Sequence, residues 1–448
     1  MAKKKPARKP PARPAPSADP GTIVAVAALC AALAGASLAV DTIAASAFDA
    51  PKRLIALSGT ALAVLAVFAS KRRGPGLREL LREGPSARRA ALWLGVAALV
   101  GAWISAFVSP RRAIAIDTMR AATLLAALAP LGASRAVARG RGWLAGTFLG
   151  ACAINAAVAI LQSRGLYSPF ALQTFGSRQE TGAFAGNVGY LAIALALASV
   201  LALSLVLTAK NPIVRRLSVA ALVLYAGGLL VNQNLTALMA LLAGSATLLI
   251  LRFRRRAVVP VATAVAAVVL AIAVYAPLRQ RAVELTRAVQ SGNWDALVSF
   301  RGGPWAAAIE MTRERPLTGF GPGTFGAEYI PHRLAAEVRL HRRLISPLTT
   351  TSYAEAHSDY LQAFSDAGLV TGGLAIAAAA GLLAAVLRAA WLRRESEAIL
   401  LAAVLVAGAA AALTWFPFQR PITAAPLLLA AGRAWRISAD PAPGEEEA

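Results

Sequence analysis

The sequence predicts an all-α, polytopic membrane protein with about twelve transmembrane helices and one large helical loop outside the membrane. Three observations carry this expectation. Hydrophobic residues make up 57% of the 448 positions and charged residues only 15%, against about 45–50% apolar and about 25% charged in a soluble chain. The apolar residues come in long runs rather than with period 2 or 3.6. Basic residues sit in short clusters between those runs, as they do in loops that orient a membrane protein.

A helix needs roughly 20 apolar residues to cross a bilayer core, because each residue rises about 1.5 Å. Such runs fall near 21–40, 54–70, 91–108, 113–134, 143–162, 183–208, 217–231, 235–251, 257–277, 368–391, 397–415 and 421–435. The fourth contains Asp117 and Arg120 and the last is short, so the count is ten to twelve. Asp117 and Arg120, three apart on one helical face, can pair as a structural salt bridge or line a substrate path. With the N-terminus inside, the inside segments hold 25 Lys and Arg and the short outside segments 7, which places 278–367 outside.

The expected organisation follows. Residues 1–20 are a disordered basic cytoplasmic tail and 21–277 carry transmembrane helices one to nine. Residues 278–367 form the outside loop, 368–435 the last three spans and 436–448 a disordered acidic cytoplasmic tail. The proline-rich start is unlike a signal peptide and suits an anchor against anionic membrane lipids. The net charge of +24 comes without an aromatic–basic platform or a reading helix, so nucleic acid is not an expected partner. Cys30 and Cys152 lie inside apolar runs and read as small hydrophobes.

Chemistry is expected in the 278–367 loop. It holds all three histidines of the chain, ten arginines and nine acidic residues, a near balance that suits a folded layer better than a lipid-binding basic strip. Its first notable piece is Arg301-Gly-Gly-Pro-Trp305, where Pro304 suits the first turn of a helix and Trp305 can sit at the membrane interface. The second, Pro316 to Phe325, packs three glycines and two prolines into ten residues. Gly321 and Gly323 there can present N–H groups to an anion such as a diphosphate, or serve only as a turn. In the third, Ser352 and Glu355 suggest a capping box. A helix starting there puts His357, Tyr360, Leu361 and Phe364 on one face and His357 near the positive end, which favours the neutral ring.

Together these pieces resemble the O-antigen ligase and polymerase superfamily of bacterial membrane glycosyltransferases. The resemblance rests on Arg301 and Trp305, on the Pro316–Phe325 stretch, and on His357-Ser-Asp-Tyr360-Leu-Gln362 running to Gly368-Leu369. Gly182-Ala-Phe-Ala-Gly-Asn187 is similar to a further motif that opens a span. Two departures stand out: Ser358 replaces a frequent Asn, and Asn234-Leu235 replaces a usual Ser-Arg pair.

The resemblance implies a metal-independent transferase, without a cofactor, in the bacterial inner (cytoplasmic) membrane. Its partners would be an undecaprenyl diphosphate-linked glycan donor and a lipid or glycan acceptor, met at the outer face. Arg301 and His357 would be catalytic, the first binding the diphosphate and the second accepting or orienting the acceptor proton. Substrate contacts would come from Asn187, Trp305, Gly321, Gly323 and Tyr360, with Arg178 replacing the cation missing at Leu235. Ligase and polymerase activities stay open at this level, and a carrier or lipid flippase is the alternative from another class.

Overall fold

The computed structural model describes residues 19–44, 46–70, 86–166, 181–292, 301–344 and 353–439. Helices and short connections account for all of them, with no strand among the described residues. The helices are α1 (Pro20–Leu38), α2 (Asp49–Ala69), α3 (Ser86–Val108), α4 (Arg112–Ala126), α5 (Leu128–Gly132), α6 (Arg135–Ser163), α7 (Val188–Thr208) and α8 (Pro212–Asn232). They continue as α9 (Leu235–Phe253), α10 (Val258–Val274), α11 (Ala276–Gln290), α12 (Gly302–Glu314), α13 (Phe325–Leu340), α14 (Asp359–Arg393), α15 (Ser396–Ala412) and α16 (Pro421–Ile437).

Local chemistry sets many of the starts. The side chains of Asp19, Ser134, Asn187, Asn211, Asn234 and Ser358 each accept a hydrogen bond from an N–H of the first turn that follows. Pro20 and Pro212 occupy first positions, where no N–H is needed.

Nine stretches among the described residues are long and apolar enough to cross a membrane, so the chain is a polytopic membrane protein. The sequence suggested about twelve. The difference lies in α10, which joins α9 in one such stretch, and in α15 and α16, each 17 residues long. The expected fourth span is real but broken: α4 stops at Ala126 and α5 resumes at Leu128.

Helix α7 is the centre of the bundle. Leu191, Ile193, Leu195 and Leu197 are all buried, and α8, α9 and α15 pack around it. A helix apolar on every side belongs in a core. Outer helices turn large apolar side chains outward, among them Trp93 and Ile104 on α3 and Leu217 and Val223 on α8, the surface expected to meet lipid. One interhelical tie is polar: the Asn155 amide on α6 donates to Ser37 O at 3.1 Å, and its oxygen accepts from the Ala185 N–H at 3.1 Å.

Over one end of the bundle lies a folded layer made of α12, α13 and the segments beside them. It has its own small core of Ala307, Ala308, Met311, Phe320, Phe325, Tyr329 and Ala356. Helix α14 begins at Asp359, ahead of the expected start at 368, and Gly368 is a kink within it at φ 79° and ψ 170°. The kink lets Leu369 N–H reach Pro316 O at 2.7 Å, which docks the glycine-rich loop onto the helix.

Two expectations about charge and helix phase are corrected. Asp117 and Arg120 are both exposed, and no ion pair joins them among the described residues. Ser352, the expected start of that helix, lies outside the described residues. From Tyr353 to His357 the chain is irregular and Ser358 is the cap, accepting from Leu361 N–H at 3.4 Å. His357 therefore precedes the helix instead of sharing a face with Tyr360 and Phe364.

Candidate functional site

Helices α2, α7, α9, α14 and α16 all begin at the end of the bundle that the folded layer covers, so the positive ends of their dipoles converge there. Into this region project His357, Arg301 and Arg420. The sequence singled out the first two and used the third only to count loop charge.

His357 takes a left-handed backbone, φ 55°, just outside the cap of α14. Its ring is caged by aromatic edges, 5.0 Å from Trp415, 5.1 Å from Phe416 and 5.3 Å from Tyr353 between centroids. Trp305 fixes the backbone there by donating from Nε1 to His357 O at 3.3 Å. It thus holds the loop in place, where the sequence suggested an interfacial anchor. Burial first, then the Arg301 and Arg420 guanidiniums, pushes the imidazole down to about 3. The ring is neutral, as the sequence suggested, but desolvation and two cations make it so rather than a place on a helix. Its Nδ1 is buried with no hydrogen-bond partner among the described residues.

The polar residues after His357 lock this conformation. Asp359 accepts from Phe418 N–H at 3.1 Å and from Gln419 Nε2 at 2.9 Å, while its own N–H donates to Trp415 O. Tyr360 donates its hydroxyl to Ala409 O at 3.0 Å. Gln362 accepts from Ala356 N–H at 2.9 Å. The run that reads as one motif in sequence is therefore a clamp that ties the His357 loop to the α15–α16 connection.

Arg301 lies just before α12, half-buried. Its Nη1 donates to Thr236 Oγ1 at 3.3 Å, and its Cζ stands 5.3 Å from the Trp415 ring. Thr236 is next to Leu235, so a guanidinium reaches the start of α9 from another part of the chain. Arg420 stands on the far side of the same platform. Trp415 and Phe416 stack at 4.9 Å, and Arg420 Cζ is 5.5 Å from Phe416 and 4.8 Å from Tyr190. Arg420 is paired with Asp49 at 2.8 Å and with Glu355. Burial raises the Glu355 carboxyl above its ordinary value despite Arg420 beside it.

Asn187 caps α7, its Oδ1 accepting from Gly189 and Tyr190 N–H at 2.7 and 3.3 Å. The cap presents Tyr190 beneath Arg420, and Gly189 lets Trp415 approach, since a Cβ there would meet the indole at 2.2 Å. The glycine-rich loop is docked on α14. Phe320 and Gly321 give their N–H groups to Ser365 O and Asp366 O at 2.9 and 2.8 Å. Gly323 N–H points to the Asp366 carboxylate at 3.4 Å. These N–H groups already have acceptors in the protein, so the loop serves as a docking turn. Arg178 lies outside the described residues.

Arg420, Trp415 and Phe416 escaped the sequence reading because nothing in Trp-Phe-Pro-Phe-Gln-Arg marks a site. The available signal was a single arginine in an aromatic connection between two spans. His332, also in the layer, is structural: its ring nitrogens bond Glu328 O at 2.7 Å and Glu314 Oε2 at 3.0 Å. Among the described residues no cluster of three metal-ligating side chains occurs.

No curated protein matches the chain. Residues 220–376, about a third of it, match the family model described as O-Antigen ligase. That stretch contains Arg301, Trp305, the glycine-rich loop, His357 and Tyr360, and leaves out Asn187 and Arg420. Through residues 220–376 the chain is similar to the O-antigen ligase family.

Proposed function

We propose that this membrane enzyme moves a glycan from an undecaprenyl diphosphate carrier to an acceptor hydroxyl, as a ligase-type, metal-independent glycosyltransferase. The membrane is the bacterial inner membrane, with both termini cytoplasmic and the layer around α12 and α13 on the outer face. The observation that carries the reading is the neutral, partnerless Nδ1 of His357 beside the Arg301 guanidinium.

The chemistry has two demands. The acceptor oxygen attacks the anomeric carbon of the donor sugar, and the bond from that carbon to the diphosphate oxygen breaks. The electron pair leaves with the diphosphate, whose growing charge needs fixed cations and N–H donors. Arg301 suits this need, because a guanidinium binds phosphate oxygens in bidentate fashion and stays charged. The acceptor hydroxyl must also lose its proton, and we assign that role to His357, whose Nδ1 has no hydrogen-bond partner among the described residues. In the free protein the guanidiniums oppose a proton on the ring. A bound diphosphate offsets their charge and so raises the basicity of His357 when the donor is present.

Arg301→Ala and His357→Ala should each abolish glycan transfer while the protein still inserts and accumulates. Full transfer by both variants would overturn the assignment. In a deletion strain, carrier-linked polymer should build up and none should reach the acceptor; single repeat units on the acceptor would mean a polymerase instead. A carrier or flippase would show sensitivity at Asp117 and Arg120 and tolerance at Arg301 and His357.

A further inference from the structure

The geometry points to Arg420 as a second cation that binds the leaving diphosphate opposite Arg301, with Glu355 and Asp49 holding it until the donor arrives. The inference rests on the reading above, since it takes the donor to carry a diphosphate. A diphosphate leaves with more charge than one guanidinium can meet, so the site calls for another. Arg420 is placed for this. The order Arg301, Trp415, His357, Phe416, Arg420 is continuous, each member within 5.0–5.5 Å of the next. The two guanidiniums therefore flank the imidazole.

Two further observations concern Arg420 itself. Its Nε–H is buried and has no hydrogen-bond partner among the described residues. That donor is spare in the free protein, although the other end of the guanidinium is held by Asp49 and Glu355. Arg420 also stands immediately before α16, so the first-turn N–H groups and the dipole of that helix add to the positive potential. The two carboxylates compete with an incoming anion. Glu355 is the weaker competitor, because burial disfavours its charge. A protonated or displaced Glu355 then leaves the guanidinium to the diphosphate. Asp49, half-exposed at the start of α2, is the partner that keeps Arg420 positioned.

The alternative is a structural clamp in which Arg420 only joins α2, the Glu355 segment and α16. The two readings give opposite signs for one substitution. The full-length protein in nanodiscs is titrated with inorganic pyrophosphate, and binding is measured directly by calorimetry alongside glycan transfer. Arg420→Gln should weaken pyrophosphate by about 10–100-fold, the loss expected for charge-assisted hydrogen bonds, and Arg420→Lys should recover part of it. Glu355→Gln, which keeps the shape of the side chain and removes the competitor, should tighten pyrophosphate by about 3–10-fold. A clamp predicts the reverse, because loss of its partner loosens Arg420. Unchanged binding in Arg420→Gln, or weaker binding in Glu355→Gln, overturns the inference, and the second arm decides it even if the arginine variants do not fold.

Discs of phosphatidylcholine alone and discs containing phosphatidylglycerol should give the same result. Displacement of pyrophosphate by phosphatidylglycerol would make this a lipid headgroup site and also overturn it. The pyrophosphate pattern without any glycan transfer would leave the anion site standing and sink the transferase reading.

Discussion

Gly368→Ala should cripple the protein although Gly368 is not part of the His357 site. The backbone there is at φ 79° and ψ 170°, a region that residues with a Cβ essentially never occupy. Forcing it costs on the order of 1–3 kcal/mol. A Cβ would also meet Leu317 O at 2.3 Å and Leu317 C at 2.4 Å, both backbone atoms that cannot swing aside. Relief of that contact moves the 316–319 segment and breaks the Leu369 N–H to Pro316 O bond of 2.7 Å, worth about 0.5–1.5 kcal/mol. Together these come to about 1.5–4.5 kcal/mol of lost stability. Thermal unfolding of the detergent-solubilised protein should show it as a lower midpoint, and transfer should fall because the layer that carries Arg301 and His357 is no longer seated. Gly373→Ala is the control. It lies on the same helix with nothing within 4 Å of the added Cβ, and should be neutral or up to about 1 kcal/mol stabilising. A Gly368→Ala protein with the melting point and activity of Gly373→Ala would refute the kink as the device that seats the loop.

Further outcomes can be read in the same assays. Arg301→Lys keeps the charge and loses the bidentate fork, so kcat/KM for transfer should drop about 10-fold or more while the melting point holds; a change in the melting point alone would contradict a role in the reaction. With the imidazole at about 3, His357 should be neutral throughout pH 5–8, and kcat/KM of the parent protein should show no limb near 6.5. Because this value is depressed in the folded protein, the group's contribution to stability is complete above about 6.5 and is lost as pH falls toward 3. Unfolding midpoints should therefore drop with acid less steeply in His357→Gln than in the parent. Asn155→Leu orphans Ser37 O and Ala185 N–H and should cost about 1–2 kcal/mol, at the lower end if lipid lets the groups re-pair. No shift in melting point would remove that tie from the account of the fold.

The sequence by itself determined the class of fold, because apolar runs of membrane length are a local property that needs no partner to be read. Arg301, Trp305 and His357 were legible as motif residues, and Asn187 as the end of a motif that opens a span. Tertiary structure alone decided the rest. Whether Ser352 or Ser358 starts α14 depends on Asp359 and Gln362 finding partners at Gln419 and Ala356. Whether the glycine-rich N–H groups face an anion or the protein depends on Asp366 lying beneath them. The neutrality of His357 and the nearness of Arg420 come from side chains distant in sequence, joined through Trp415 and Phe416. Electrostatics and burial act through space, so a site assembled from α2, α7, α12, α14 and α16 leaves no spacing in the chain by which to recognise it.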